Sequence, residues 1–522
     1  MCGIFTIIKK DISDIDKTNV IKSYEILNKR GPDNCNIMFN KNNITCFTRL
    51  SINDLSFNGN QPFFRDNIIL LCNGEIYNNK QLIEDNDLQV FSKSDCECII
   101  ELYKKYGFEN TVEMLDGVFS IILIDDNICY FARDRIGVRP LFYSIVDNGI
   151  VLGSVARSVC NIGRDTKEVK PCFGFYDLET NKITTHDYKF SIEECKLNEE
   201  QIMEQIKNNL IDSVKKRLLT DIPFCSMLSG GLDSSVLCSI LCKELGNEKV
   251  NTFSIGMEGS EDLKYSRIVA NHFNTNHTEV VFSPREGFEC IPEVIKDLET
   301  YDITTIRASV GMWLLSKYIS KNTDYKVVFS GEGADELYMG YLYFHFAENS
   351  EIAKEESLRL VKELYKYDVL RTDRSISSHG LEARVPFLDK KFVDLTLSIT
   401  GDKLVPRNSM EKYILRKSFD GELPDEILWR RKDGFSDALS SLEKPWYKHI
   451  EEFVDEIVTD DEFSKQSSKF PSKESYYYRK LYDGIFNNYD CAIEYWQPKW
   501  IDTNGNPSGR LLFENIKNKN IC

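Results

Sequence analysis

Two sets of residues in this chain have the types and spacing that chemistry requires. The first is Ser229-Gly230-Gly231-Leu232-Asp233-Ser234-Ser235, preceded by an apolar run over 223–228. It is followed by Val236, Leu237, Ile240, Leu241 and Leu245 at helical spacing. The order reads strand, small-residue loop, helix. Glycines let backbone N–H groups turn toward an anion, and the helix adds its positive N-terminus. Ser229, Ser234 and Ser235 supply hydroxyl donors, and Asp233 suits a metal that bridges phosphates. The Gly-Lys-Ser/Thr ending of a γ-phosphate loop is missing. A serine-rich turn capping a helix is the plain alternative; the Leu-Asp-Ser-Ser continuation and the strand in front favour an anion site. The second set begins at Cys2. Loss of Met1 would give Cys2 a free α-amine of pKa ~7.7–8.0, a base suited to its own thiol. Taken alone, Cys2 reads as a chance cysteine after the initiator, and only the further motifs below change that reading.

The elements that must position these residues differ between the two halves. From about residue 200, long helical segments alternate with strands at 223–228, 250–255, 278–282 and 326–329. That alternation predicts a parallel sheet covered on both faces, with ligands bound beyond the carboxyl ends of its strands. Three stretches then share one edge: 229–235, Ile255-Gly256 and the acidic, glycine-rich 330–336. In the last of these Asp335 is placed to join Asp233 in holding Mg²⁺-pyrophosphate, and Glu332 to act as acid, base or electrostatic organiser. A flexible turn or calcium-type loop is the alternative there, without the regular alternation of an EF-hand. The first two hundred residues instead carry short strand-like runs, among them 3–8, 44–52, 67–72, 118–125, 128–133, 141–145 and 150–154. Helical segments at 20–27 and 96–106 interleave with them. This predicts antiparallel sheets packed face to face with helices outside. A polar, acidic stretch over 184–202 marks the boundary between the halves.

Composition bounds the function classes. The chain has 522 residues, 42% hydrophobic and 12% aromatic, as a globular protein with a sizeable core requires. Its net charge of −17 argues against nucleic acid or an acidic membrane as partner. No uncharged apolar run approaches the ~18 residues of a spanning helix, and the start carries no basic, apolar signal segment. The sixteen cysteines are scattered without paired Cys-x-x-Cys units, which predicts reduced thiols in a cytoplasmic protein.

Several ordered motifs join the two sets. Met-Cys-Gly-Ile at the start, Arg30-Gly31-Pro32-Asp33, Arg49-Leu50-Ser51-Ile52, Asn73-Gly74-Glu75-Ile76-Tyr77-Asn78 and Ser94-Asp95-Cys96-Glu97 together resemble the glutaminase domain of class II glutamine amidotransferases. The loop at 229–235 resembles the pyrophosphate loop of enzymes that split ATP into AMP and pyrophosphate. Further motifs extend the likeness. They are 299–309, Ser378-His379-Gly380-Leu381-Glu382-Ala383-Arg384-Val385-Pro386, Met410-Glu411-Lys412-Tyr413, Trp429-Arg430-Arg431-Lys432 and Tyr476-Tyr477-Tyr478-Arg479. With them the chain, from Cys2 to about Trp500, resembles the glutamine-hydrolysing asparagine synthetases. The resemblance implies an αββα N-terminal-nucleophile sandwich over 2–185, a parallel-sheet ATP pyrophosphatase domain over 200–505 and a polar tail over 506–522. It implies that aspartate, glutamine and ATP are the substrates, with Mg²⁺, through a β-aspartyl-AMP intermediate. Oligomeric state is left open, a homodimer included.

The resemblance also implies residue roles. Cys2 is the nucleophile, Arg49 takes the glutamine carboxylate, Glu75 and Asp95 take its ammonium, and Asn73 and Gly74 stabilise the oxyanion. Leu228, Ser229, Gly230, Gly231, Asp233, Ser234, Ile255, Ser330 and Gly331 hold ATP, Asp233 and Asp335 the metal. Lys412 pairs with developing phosphate charge, beside Glu332. His379 is open to a general-base or a positioning role, the latter preferred because no acidic orienter stands beside it. Arg133-Asp134-Arg135-Ile136-Gly137 reads as a structural turn. The chain departs from the family pattern at Lys93, at Pro171-Cys172-Phe173-Gly174, at Val155 and at Asp433-Gly434-Phe435-Ser436. A relative that amidates another carboxylate or closes a ring, and a non-catalytic member of the fold, are the rival readings. The first often lacks Cys2 and the second would show erosion of Cys2, Asp233, Asp335 or Lys412; all four are intact.

Overall fold

The computed structural model describes residues 1–190, 193–246, 249–486, 493–501, 503 and 506–510. The N-terminal part holds β1 (Gly3–Lys9), β2 (Asn34–Phe39), β3 (Asn43–Arg49), β4 (Phe63–Arg65), β5 (Ile68–Ile76) and β6 (Gly117–Asp125). It continues with β7 (Ile128–Arg133), β8 (Phe142–Val146), β9 (Gly149–Gly153), β10 (Lys167–Glu168), β11 (Cys172–Asp177) and β12 (Lys182–Asp187). They form two six-stranded sheets, β10-β8-β9-β1-β3-β2 and β12-β11-β7-β6-β5-β4. Strand pairing is antiparallel throughout, as in β1 with β3 and β5 with β6.

The side-chain period of two explains the layering. Ile4 and Ile8 of β1 share a buried cluster with Leu71 of β5 and Ile122 of β6, which glues the two sheets together. Phe5 and Ile7 point the other way, onto Val20 and Leu27 of the helix Lys17–Leu27. Leu70 and Cys72 likewise meet Ile99 and Leu102 of the helix Cys98–Tyr106. Both central strands are therefore buried on both faces, and the layers run helix, sheet, sheet, helix. Asp134 holds the turn after β7: its carboxylate accepts N–H groups of Ile136, Gly137, Val138, Arg139 and Phe119 at 2.8–3.2 Å. The polar or very short strands β2, β4, β10 and β12, and the aromatic β11, add to the seven runs visible in the sequence.

The second part is built on β13 (Phe224–Met227), β14 (Asn251–Gly256), β15 (Asn276–Val281), β16 (Val327–Phe329) and β17 (Glu382–Arg384). The sheet is parallel, in the order β15-β14-β13-β16-β17. Val327 and Phe329 face the cluster containing the helices Glu199–Lys216 and Leu232–Leu245. Val328 faces the opposite cluster, with Pro284–Leu298 and Ile303–Asn322. The fifth strand, β17, escapes a hydrophobic pattern because two of its three residues, Glu382 and Arg384, are charged and buried. The chain leaves β13 toward β14 and β15, then returns to the other side of β13 as β16. The strand order thus reverses between β13 and β16, where an open parallel sheet has its crevice.

The two parts are joined by ion pairs, among them the buried pair of Arg30 with Asp373 at 2.8 Å and the pair of exposed Lys29 with buried Asp297 at 2.7 Å. The start of the polar tail is not a free extension. Asn506 Oδ1 accepts from Arg307 at 2.7 Å, Ser508 Oγ donates to Asp437 at 2.9 Å, and Arg510 pairs with Asp433 at 2.8 Å. The rest of that tail, 511–522, lies outside the described residues. No described helix is long and apolar enough to cross a membrane.

Candidate active sites

The first site lies where β1 and β3 of one sheet approach β5 of the other. Cys2 precedes β1, and Gly3 is registered against Thr48, so Arg49 at the end of β3 stands close by. The Cys2 thiol lies 3.9 Å from the Leu50 carbonyl. Burial pushes that thiol up to about 11 and the Met1 amine down to about 5. Met1 is itself enclosed, its amine donating to the Leu381 carbonyl at 3.1 Å. Arg49 is fixed by the loop after β3, donating to Ser56 O at 2.9 Å, Asn60 Oδ1 at 2.8 Å and Asn53 O at 3.1 Å. On β5, both polar atoms of the Asn73 side chain are buried without a hydrogen-bond partner among the described residues. A buried amide costs ~1–3 kcal/mol in that condition, which marks it as awaiting a ligand. Gly74 is required for close strand approach: a Cβ there would lie 2.3 Å from the Val118 carbonyl oxygen. Glu75 accepts from Asn53 Nδ2 at 2.5 Å, and Asp95 accepts from the Ile76 N–H at 2.6 Å. Burial raises both carboxyls, Glu75 well above the usual range despite the pull of Arg384.

The second site fills the crevice between β13 and β16. The Leu228 N–H donates to Phe253 O at 2.8 Å, carrying the chain into the loop. There Ser229 Oγ and Ser234 Oγ meet at 3.1 Å, and the Gly231 N–H donates to Ser229 Oγ at 3.2 Å. Gly230 has φ +71°, and a Cβ on it would lie 2.3 Å from the Tyr265 backbone. It shapes the turn from behind. Leu228, Ser229, Gly231, Asp233, Ser234, Ile255, Ser330 and Gly331 line a cavity of about 140 Å³, and Gly230 is absent from its wall. A larger cavity of about 660 Å³ adjoins it and shares Glu332, Asp335, Arg371, Arg430 and Lys432.

Charge organises this crevice. Lys412 Nζ lies 2.7 and 2.6 Å from the two oxygens of Asp233 and 2.7 Å from Asp335 Oδ1. Lys412 itself sits at φ +56°, a left-handed conformation that side chains disfavour. Lys432 Nζ reaches the other Asp335 oxygen at 2.7 Å. Burial would raise the Asp335 carboxyl, but the two lysines overcome it and hold it well below the usual range. Glu332 is raised by burial, against the pull of Arg371, whose Nη2 donates to it at 2.6 Å. The described residues contain no cluster of three or more metal-ligating side chains. Asp233 and Asp335 nevertheless converge on one cationic position, now held by the Lys412 ammonium. Two carboxylates around one cation suit an ion that keeps waters and takes its remaining oxygens from phosphates.

Comparison with known proteins bears on both sites. The glutamine amidotransferase domain family model matches residues 1–198, and the asparagine synthase model matches 205–359 and 349–501. Asparagine synthetase (glutamine-hydrolyzing) of Mus musculus is 42% identical over 563 residues, covering 98% of each chain. The Rattus norvegicus protein of that name is also 42% identical, and the Homo sapiens one 40%, again with 98% of each chain covered. The chain belongs to the glutamine-hydrolysing asparagine synthetase family.

Within this family frame, the structure brings together Cys2, Arg49, Asn73, Gly74, Glu75 and Asp95 in one place, and the 229–235 and 330–336 loops with Lys412 in another. His379 lies in neither cavity wall. It is half-buried with its ring 4.6 Å from that of Trp313, and burial pushes it down to about 3. Sequence reasoning left Lys432, Arg371 and Arg384 without a role. The basic run Arg430-Arg431-Lys432 was a readable signal of an anionic ligand; nothing in the sequence around Arg371 or Arg384 gave one. The family departure at Asp433 acquires a partner, Arg510.

Proposed function

We propose that this chain makes asparagine from aspartate, glutamine and ATP, releasing glutamate, AMP and pyrophosphate. The likeness over 98% of both chains to relatives named for glutamine hydrolysis and asparagine synthesis carries this reading. Release of Met1 frees the Cys2 amine as base, and the thiolate attacks the glutamine amide carbon. Arg49 takes the carboxylate, Glu75 and Asp95 the ammonium, and the unpartnered Asn73 amide with the Gly74 N–H receives the oxyanion. Collapse of that adduct expels ammonia and leaves a γ-glutamyl thioester on Cys2, which water hydrolyses to glutamate, and the ammonia passes to the crevice. There an oxygen of the aspartate β-carboxylate attacks the α-phosphorus of ATP, breaking the bond to pyrophosphate and forming β-aspartyl-AMP. Ammonia then attacks the β-carbonyl, AMP leaves, and Glu332 is placed to take the proton that nitrogen sheds. Lys412 and Lys432 turn from the carboxylates to the phosphate oxygens. Mg²⁺ held by Asp233 and Asp335 supplies neutralisation of pyrophosphate charge.

The test is product identity. Purified protein with ATP, Mg²⁺, aspartate and amide-¹⁵N glutamine yields ¹⁵N-asparagine, glutamate, AMP and pyrophosphate in equal amounts. ADP and phosphate as products, or unlabelled amide in the asparagine, would refute it.

A further inference from the structure

The glutamine pocket described above is not closed by the N-terminal part alone. Arg384, the last residue of β17 in the synthetase sheet, reaches across the boundary and is completely buried. Its Nε donates to Glu382 Oε1 at 2.6 Å, its Nη1 to the Leu219 carbonyl at 3.2 Å, and its Nη2 lies 3.2 Å from Glu75 Oε1. Its guanidinium also lies over the Tyr77 ring, 5.7 Å from the centroid. The same residue touches the other site through its backbone. β17 is registered on β16 with Phe329 opposite Arg384, and the Arg384 carbonyl accepts the Ser330 N–H at 2.9 Å. Ser330 opens the loop that carries Glu332 and Asp335.

We propose that Arg384 is a positioning residue of the glutamine site, contributed by the synthetase domain, which pairs with the Glu75 carboxyl group and aims it at the α-ammonium of an amino-acid substrate. The inference rests on the reading of Glu75 as the acceptor of that ammonium. The charge balance requires such a residue. A carboxylate buried beside Glu382 and Asp95 is driven toward its neutral form, and a neutral acid cannot pair with an ammonium. Asn53 supplies a hydrogen bond but no charge. Arg139 contributes a cation at longer range, engaged by Asp373 at 3.3 Å and Glu382 at 3.6 Å. Arg384 is the cation in ion-pair contact with Glu75 among the described residues. An arginine fits where a lysine would not hold the same set: its planar fork meets Glu382, Leu219 and Glu75 at once.

The experiment compares two nitrogen sources in the full-length protein. Asparagine formation by Arg384→Ala is measured against glutamine and against ammonium chloride, with glutamate release in parallel. The expected result is a glutamine KM raised at least about tenfold more than the ammonia KM. Arg384→Lys, which keeps the charge but not the fork, should recover part of that difference. Equal changes on both routes, or a lysine variant no better than alanine, would overturn the proposal. Glu75→Gln separates the two layers. If it leaves the glutamine KM unchanged, the reading of Glu75 falls; if it raises the KM while Arg384→Ala does not, only the role of Arg384 falls. Should Arg384→Ala fail to fold by circular dichroism, the ratio is read on Arg384→Gln, which keeps the bulk without the charge.

Discussion

The glutamine pocket and the synthetase crevice face opposite electrostatic problems. The pocket must take a zwitterion, and it presents one guanidinium, Arg49, and two carboxylates, Glu75 and Asp95, all largely buried. Burial dominates there: thiol and carboxyls alike are pushed toward their neutral forms. The crevice must take ATP and an acidic amino acid in a chain of net charge −17. It answers with lysines pressed against carboxylates, and there pairing beats burial at Asp335. The lesson is that burial alone does not set the charge of a site. Two ammonium groups in contact hold Asp335 low, whereas a single guanidinium beside Glu332 or Glu75 does not offset their burial.

The comparison breaks most completely at Cys2. Cys2→Ala removes the thiol placed before β1, and no charged partner substitutes for it. Glutamine-dependent synthesis should fall on the order of 10³-fold more than ammonia-dependent synthesis. Parallel loss of both routes would mean that the two sites are one functional unit. Retention of Met1, followed by intact mass, should track with loss of glutaminase activity, since the amine is then in a peptide bond.

Lys412 is the corresponding point in the crevice. Its ammonium is shared by Asp233 and Asp335. Lys412→Ala should lower synthesis from either nitrogen source by about 100–1,000-fold, the range for removing a cation or donor aimed at developing charge. Lys432, which touches Asp335 alone of the pair, should cost about tenfold as alanine. Glutamate release without synthesis should persist in both variants. A Lys432 effect as large as that of Lys412 would show that neutralising Asp335, rather than bridging two carboxylates, is what matters.

The two regions also differ in how far they could be read without coordinates. The pocket residues sit on or beside long β-branched strands, and their motifs fall within the first hundred positions; strand register brings Cys2 to Arg49, and the packing of one sheet on the other brings Asn73 to them. The crevice loops were legible for another reason: strand–helix alternation put 229–235 and 330–336 on one edge. Lys412 and Lys432 belong to the stretch after β17, where short helices give little periodicity. Arg384 was the least legible, because its strand is three residues long and its partner lies in the other half of the chain. The likeness to the family pointed to substrates; it did not show which side chains guard the charge of which carboxylates.

Asp262, like Glu332, is a crevice carboxylate that burial raises as it raises those of the pocket, and it gives the finest test. Asp262, in the first turn of the helix Glu261–Phe273, is buried, and its nearest cation, Arg430, is 3.7 Å away. Burial raises it to about 7, with Arg430 opposing and Asp433 reinforcing. Its folded value thus lies above the unfolded one of ~3.9, so its contribution to stability is full below about pH 4 and is lost as pH rises toward 7. Asp262→Asn cannot titrate. In the ligand-free protein the variant should therefore gain on the parent between pH 5 and pH 8, by on the order of 2 kcal/mol. Urea melts at the two pH values check it. An unchanged difference between variant and parent would show that Arg430 closes on Asp262 and keeps it ionised, so that the crevice, unlike the pocket, leaves no carboxylate to desolvation alone.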